Sequence, residues 1–196
     1  MILLIDNYDS FSYNLYQLAG SIEPYIKTVK NDELSVKQIK EICPSGIIIS
    51  PGPGKPCDAG ICEQVIQQCT DIPILGVCLG HQAICESFGA EIIHAKELIH
   101  GKPSMIKQSG ESRLFRGIPQ SFSGARYHSL AVDESTLPEV LTVTARADDN
   151  EIMAVQHIKY DIYGVQFHPE SVMSGYGYEI MKNFIEITNN NRRISL

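Results

Sequence analysis

Ile72-Pro73-Ile74-Leu75-Gly76-Val77-Cys78-Leu79-Gly80-His81-Gln82 decides how this chain is read. The run Ile72-Pro73-Ile74-Leu75 reads as a buried strand, and Ala83, Ile84 and Phe88 carry a helix beyond it. Between the two lies a one-residue corner at Cys78. A strand that turns straight into a helix strains the corner residue and lifts its side chain out at the top of the sheet. Glycines two residues to either side let strand and helix approach closely. This is the logic of the nucleophile elbow G-x-S-x-G, with a thiol in place of the hydroxyl. A thiol at a helix N-terminus also meets the positive end of the helix dipole, which favours thiolate. Free cysteines are more often inert packing residues. The flanking glycines and the strand-helix context turn the reading of Cys78 towards chemistry.

Upstream of the elbow, strand and helix alternate. Ile2-Leu3-Leu4-Ile5, Tyr25 to Val29 and Gly46-Ile47-Ile48-Ile49 read as strands. Phe11, Leu15 and Leu18, ending at Gly20, then Val36, Ile39 and Ile42, then Ile61, Val65 and Ile66, repeat at helical spacing. Such alternation implies a parallel sheet covered on both faces. Downstream, Glu91-Ile92-Ile93, Ser104-Met105-Ile106, Leu141-Thr142-Val143-Thr144 and Ile152-Met153-Ala154-Val155 are strand-like. Asp148-Asp149-Asn150 is read as the hairpin turn between the last two. This second half predicts an antiparallel section added to the parallel core. Ile162 to Phe167 forms a further strand, and a helix through Ile180, Phe184 and Ile187 closes the chain.

The chain has 196 residues and 43% hydrophobic content, which suits one domain over 1–196 with a sizeable core. A net charge of -7 argues against a nucleic-acid surface, and Arg192-Arg193 reads as a solvated, frayed terminus. The opening Met1 to Asp6 lacks the basic start of a signal peptide, and no apolar run suits a membrane span. A cytoplasmic location with free thiols is therefore expected for the six cysteines. No C-x-x-C pair occurs, which speaks against structural zinc. Cys62, Cys69 and Cys85 fall in helical patterns and are expected to be half-buried.

Two more segments follow predicted strands, where open α/β sheets place their ligands. Ser50-Pro51-Gly52-Pro53-Gly54-Lys55-Pro56 combines prolines that stiffen a loop with glycines that let a backbone N–H come close to a ligand. A rigid oxyanion donor could thus be built in this loop, with the Leu79 N–H as the second. Alone, the segment would read as a Pro-Gly turn. It lacks the G-K-[ST] ending of a P-loop. In His168-Pro169-Glu170, residues two apart on extended backbone face one side, so Glu170 can reach the His168 ring. A carboxylate on one imidazole nitrogen fixes the tautomer and leaves the other nitrogen for a nucleophile. Alone, that triplet would be a surface ion pair.

Together, Gly76 to Gln82, Ser50 to Gly54 and Gly164-Val165-Gln166-Phe167-His168-Pro169-Glu170 resemble the three signature blocks of class I glutamine amidotransferases. The resemblance runs from Met1 to about Ile187. Asp6-Asn7-Tyr8-Asp9-Ser10-Phe11, with Asn14-Leu15, resembles the opening of the glutaminase subunits of anthranilate synthase and aminodeoxychorismate synthase. Arg126-Tyr127-His128-Ser129-Leu130 resembles their substrate-side strand. The fold implied is a flavodoxin-like three-layer α/β/α sandwich, its central sheet mostly parallel, with an antiparallel extension in the second half. The resemblance implies Cys78 as nucleophile, His168 as general acid and base, and Glu170 as the residue that orients it. It implies Gly52, in the loop with Pro53 and Gly54, and Leu79, directly after Cys78, as oxyanion donors. It implies Gln82, Ser129 and Leu130 around the α-amino and carboxylate end of glutamine.

Read without the family, Gln82 is a solvent-facing or capping residue and Ser129 an ordinary strand hydroxyl. His81 and His128 are read as neighbours without a chemical role, because one base suffices. His94, His100 and His157 are read as surface or packing residues, and Asp9 and Ser10 as N-caps of a helix beginning at Phe11. The resemblance implies no metal or organic cofactor in this chain. It implies a separate chorismate-binding synthase subunit that holds its own Mg2+ and takes up the ammonia. The alternatives are guanylate synthesis, carbamoyl phosphate synthesis, glutamyl hydrolysis and a non-catalytic, glutamine-sensing regulatory role. Anthranilate is the expected product and aminodeoxychorismate the second choice, or both.

Overall fold

The computed structural model describes residues 1–96 and 99–194, with side chains through Asn191. Among the described residues, nine strands form one sheet. Five of them are β1 (Ile2–Asp6), β2 (Ile26–Lys30), β3 (Gly46–Ile49), β4 (Ile74–Val77) and β11 (Ile162–Val165). They lie in the order β2-β1-β3-β4-β11, and every neighbouring pair is parallel. This is the 2-1-3-4-5 order of the flavodoxin-like doubly wound fold. β10 (Ile152–His157), β9 (Leu141–Ala147), β6 (Lys102–Gln108) and β7 (Ser121–Arg126) continue the sheet antiparallel. The expected antiparallel section is therefore fused to the parallel sheet rather than separate from it. A two-stranded ribbon, β5 (Ile92–His94) with β8 (Leu130–Val132), stands apart.

Alternation along the parallel strands builds the layers. Ile2 and Leu4 point to one face, where Leu15 of α1 (Ser12–Gly20) and Ile180 and Phe184 of α5 (Gly177–Ile194) cover them. Leu3 and Ile5 point to the other face, against Ile39 of α2 (Val36–Ile42), Val65 of α3 (Cys62–Gln68) and Ile84 of α4 (Leu79–Ser87). Both faces are dry, as short all-apolar parallel strands require. Among the described residues, no helix is long and apolar enough to cross a membrane.

Several sequence expectations change. Arg126 to Leu130 is not one strand: Arg126 ends β7, Leu130 starts β8, and Tyr127-His128-Ser129 is the loop between. β11 stops at Val165, so the predicted strand through Phe167 is two residues too long. Cys62, Cys69 and Cys85 are fully buried rather than half-buried. α1 begins at Ser12 without a side-chain cap, although Asp9 Oδ1 accepts the Phe11 N–H at 2.8 Å just before it. The backbone of Arg192 and Arg193 continues α5 instead of fraying, and their side chains lie outside the described residues. The Asp148-Asp149-Asn150 turn joins β9 to β10 as expected, with Asn150 at a φ of 65°.

Candidate active site

Parallel pairing puts the carboxyl ends of β1, β3, β4 and β11 along one rim, and the residues just beyond them build the site. Cys78 follows β4 directly, with φ 53° and ψ -100°, a conformation that L-residues rarely adopt. Its N–H donates to the Val165 carbonyl at 2.8 Å, and its carbonyl accepts the Gln82 N–H at 3.0 Å in the first turn of α4. The corner is thus tied to a strand on one side and a helix on the other. Both glycines are needed. A Cβ at Gly76 would lie 2.3 Å from the Gly80 carbonyl oxygen, and one at Gly80 would lie 2.5 Å from that of Ile49.

The loop after β3 is held from beneath by Asn7, just beyond β1. The Asn7 N–H donates to Ser50 Oγ at 2.8 Å, and its Nδ2 donates to the Ser50 carbonyl at 2.9 Å. Asn7 Oδ1 in turn accepts from Asn31 Nδ2 at 3.0 Å and from Cys62 Sγ at 3.2 Å. Gly52 is squeezed in above: a Cβ there would lie 2.6 Å from both Asn7 Cβ and Leu79 Cδ2. This brings the Gly52 backbone beside Leu79, whose N–H is among those that helix geometry leaves without an intrahelical partner. Pro53 and Gly54 sit exposed at the rim, Gly54 with a φ of +78°. A crevice of about 340 Å³ opens here between Asn7, Pro53 and Leu79. A wider cleft of about 630 Å³ lies elsewhere, around Arg113, Tyr160 and Asp161, and contains none of these residues.

His168 is 2% exposed and lies beyond β11. Its N–H donates to the Ala125 carbonyl at 2.9 Å, and the Ser171 N–H closes a turn onto the His168 carbonyl at 3.2 Å. That turn, not extended backbone, brings Glu170 Oε1 within 2.7 Å of His168 Nδ1. The pairing expected from the sequence holds, but for a different backbone reason. Burial opposes a charge on the ring. The Cys78 sulfur and the hydrogen-bonded Glu170 carboxylate together outweigh burial and raise the pKa to about 10. His168 Nε2 is buried without a hydrogen bond of ordinary geometry; Cys78 is the neighbour that acts on it. Phe11 and Tyr127 stand edge-on to the ring, with centroids at 5.4 and 5.0 Å.

The third wall is the loop from Tyr127 to Leu130. Gln82 is buried, not solvent-facing, and its Nε2 donates to the Leu130 carbonyl at 2.9 Å and to Gln166 Oε1 at 3.1 Å. Gln166 Nε2 lies 3.6 Å from Cys78 Sγ. His128 Nδ1 meets the same Leu130 carbonyl at 2.9 Å, while its Nε2 accepts from Arg126 Nε at 3.1 Å, which fixes the tautomer. Arg126 is fully buried and pairs with Asp149 at 2.7 Å and with Glu151. Burial, helped by the Arg126 charge, lowers the His128 pKa to about 4. Ser129 is exposed at the loop's outer side. His81 is completely buried on α4, and burial lowers its pKa to about 3. Its Nδ1 packs against the backbone of Gly164.

The structure thus gathers Cys78, His168, Glu170, Gly52, Leu79, Gln82 and Leu130 at one rim, with Pro53, Gly54 and Ser129 on its edge. Sequence reasoning missed the supports: Asn7, Phe11, Tyr127, Gln166 and the Arg126–His128 pair. The available signals were positional: Gln166 lies two residues before His168, and the others fall in the two segments that resemble the glutaminase subunits. A thiol, a buried ring with a carboxylate behind it, and a helix N-terminus with the Gly52 backbone packed beside it suit acyl transfer from an amide.

A family profile described as "Glutamine amidotransferase class-I" matches residues 3–187. The chain is 46% identical over 187 residues to the aminodeoxychorismate/anthranilate synthase component 2 of Bacillus subtilis, covering 95% of this chain and 96% of that protein. It is 48% identical over 195 residues to the anthranilate synthase component 2 of Methanothermobacter marburgensis, covering 95% and 98%. Against the bifunctional protein TrpGD of Thermotoga maritima the identity is 49% over 189 residues. There, 95% of this chain spans only 32% of the longer protein. Among solved structures, one described as a GMP synthase component from Thermoplasma acidophilum superposes with a TM-score of 0.88 at 26% identity. That match covers 99% of this chain and 96% of the other.

Proposed function

The chain belongs to the class I glutamine amidotransferase family, and on that premise we propose that it frees ammonia from glutamine for a separate chorismate-using synthase subunit. One observation carries the reading: a thiol on a strained strand-helix corner faces a buried histidine whose other nitrogen is held by a carboxylate.

The residues divide the work as follows. Cys78 attacks the side-chain amide carbonyl as the thiolate, the form of sulfur that is nucleophilic. The oxyanion that forms lies against the N–H groups of Gly52 and Leu79. His168 carries a proton up to a pH of about 10, so it holds one at neutral pH to give to the departing ammonia. A glutamyl thioester on Cys78 remains. His168, now neutral, takes a proton from water as that water attacks the thioester, and glutamate leaves. Glu170 keeps Nδ1 occupied, so that Nε2 is the nitrogen that faces the reaction. Gln82, Ser129 and Leu130 hold the α-amino and carboxylate end of glutamine. Gln82 Oε1 serves as an acceptor there, because both its amide N–H groups are engaged. Residues 1–196 act as one domain. The chorismate site and its Mg2+ belong to the partner.

Anthranilate is the favoured product, supported by the Methanothermobacter relative's name. Aminodeoxychorismate, or service to both synthases, is the second reading, favoured by the double name of the Bacillus relative. Cys78→Ser in the reconstituted heteromer is expected to abolish glutamine-dependent product while free ammonia still supports synthesis. Loss of both activities would assign Cys78 a structural role instead. Pairing the chain with each synthase in turn, with glutamine and chorismate, identifies the product.

A further inference from the structure

We propose that Gln166 is a further catalytic residue whose side-chain amide holds Cys78 Sγ as the thiolate, in an orientation set by the Leu130 carbonyl through Gln82. The inference rests on the reading of Cys78 as nucleophile.

The orientation follows from donors and acceptors alone. A carbonyl oxygen can only accept, so the Gln82 atom 2.9 Å from Leu130 must be Nε2. That same Nε2 lies 3.1 Å from the Gln166 amide, so the atom it meets must be Oε1. Gln166 Nε2 is left facing Cys78 Sγ at 3.6 Å. Flipping Gln166 would set two N–H donors against each other at one end and an oxygen against the sulfur at the other. Flipping both amides would set the Gln82 oxygen against the Leu130 carbonyl oxygen, where neither can donate. His128 Nδ1 reaches the same carbonyl and helps to fix it.

Gln166 is fully buried and its backbone N–H is anchored on the Met153 carbonyl of β10 at 2.8 Å, so neither solvent nor backbone slack can relieve the arrangement. A thiol is a poor acceptor. A thiolate is a charged one, and hydrogen bonds to charged groups are about twice as strong. The donor therefore stabilises the ionised sulfur over the neutral one. His168, with Glu170 behind it, is the titratable partner of the sulfur; the other histidines at this rim are His81 on α4 and His128 before β8. The last two are held neutral, and His168 supplies the positive charge. Gln166 adds an uncharged donor that keeps its strength when His168 gives up its proton.

The test is alkylation of Cys78 by iodoacetamide as a function of pH, followed at the Cys78 peptide because Cys43 and Cys57 are exposed. Iodoacetamide needs none of the glutamine contacts. Gln166→Met keeps the volume and removes the donor. We expect the alkylation midpoint to move up by about one pH unit and the rate at neutral pH to fall roughly tenfold. We also expect glutamine turnover in the heteromer to fall in kcat with KM within about twofold. Should Gln166→Met not fold, Gln82→Met, which frees Gln166 to rotate, is expected to shift alkylation the same way by roughly threefold. An unchanged profile in the folded variant overturns the inference. Labelling of wild-type Cys78 by an electrophilic glutamine analogue would then leave the glutaminase reading standing, and absence of that labelling brings down both.

Discussion

His168 and His81 are both buried at this rim, yet they end at opposite extremes of charge. His81 sits three residues after Cys78 with its ring against the Gly164 backbone, and burial takes its pKa down to about 3. His168, some ninety residues further on, is almost as buried, and its pKa rises to about 10. The difference is the company. His168 has a carboxylate on one nitrogen and a sulfur facing the other, whereas His81 meets the Gly164 backbone. Burial sets the size of the effect and the partner sets its sign. Proximity in sequence to Cys78 is no guide to which ring works.

The comparison can be pressed from the strongest effect downward. His168→Asn is expected to lower glutamine-dependent turnover about 10³-fold, the range of a lost general acid-base. His81→Gln should cost far less in the same assay, and equal losses would erase the distinction between the rings. Glu170→Gln removes the support while keeping its shape. Turnover should drop about 10²-fold, and NMR titration of the His168 ring should show its proton leaving at lower pH.

Stability supplies the next contrast. His81 has a native pKa below its ordinary 6.5, so protons favour the unfolded chain and stability falls as the pH drops from 6.5 towards 3. At pH 5 this amounts to about 2 kcal/mol. In His81→Gln the fall in urea-unfolding free energy between pH 7 and pH 5 should be smaller by that amount. His168 runs the other way: its contribution is complete below 6.5 and is lost as pH rises through about 10. Smallest is Gly164→Ala. Its Cβ would lie 2.7 Å from His81 Nδ1 and 3.2 Å from Val155 Cγ2. Tilting the ring to relieve that contact should lower stability by roughly 1–2 kcal/mol, read from the same urea curves.

The parallel half of the fold was legible because its signal is local. Four or five consecutive apolar residues between helical repeats can only be a strand buried on both faces. The elbow was legible for the same reason, its glycines lying within two residues of the corner. The far half was not. β7 is Ser-Phe-Ser-Gly-Ala-Arg, and it closes on an arginine that reads as surface until Asp149 and Glu151 arrive from the turn between β9 and β10 to neutralise it. The Tyr127 to Leu130 loop looks like a strand because nothing within it reveals that Leu130 pairs with β5 instead. Gln82 reads as a polar helix residue because its partners, Leu130 and Gln166, lie 48 and 84 positions away. The groups proposed to be catalytic announced themselves through motifs, while the groups that orient them depend on contacts far along the chain.

Cys78 occupies backbone angles that suit a glycine far better than any residue bearing a side chain. Such a position costs on the order of 1–3 kcal/mol wherever it occurs. Selection for a robust fold and selection for chemistry therefore pull in opposite directions at this one codon. On the proposed function, a lineage that kept the scaffold and lost the need for glutamine would gain stability by replacing Cys78 with glycine, and decay of function would begin at that corner.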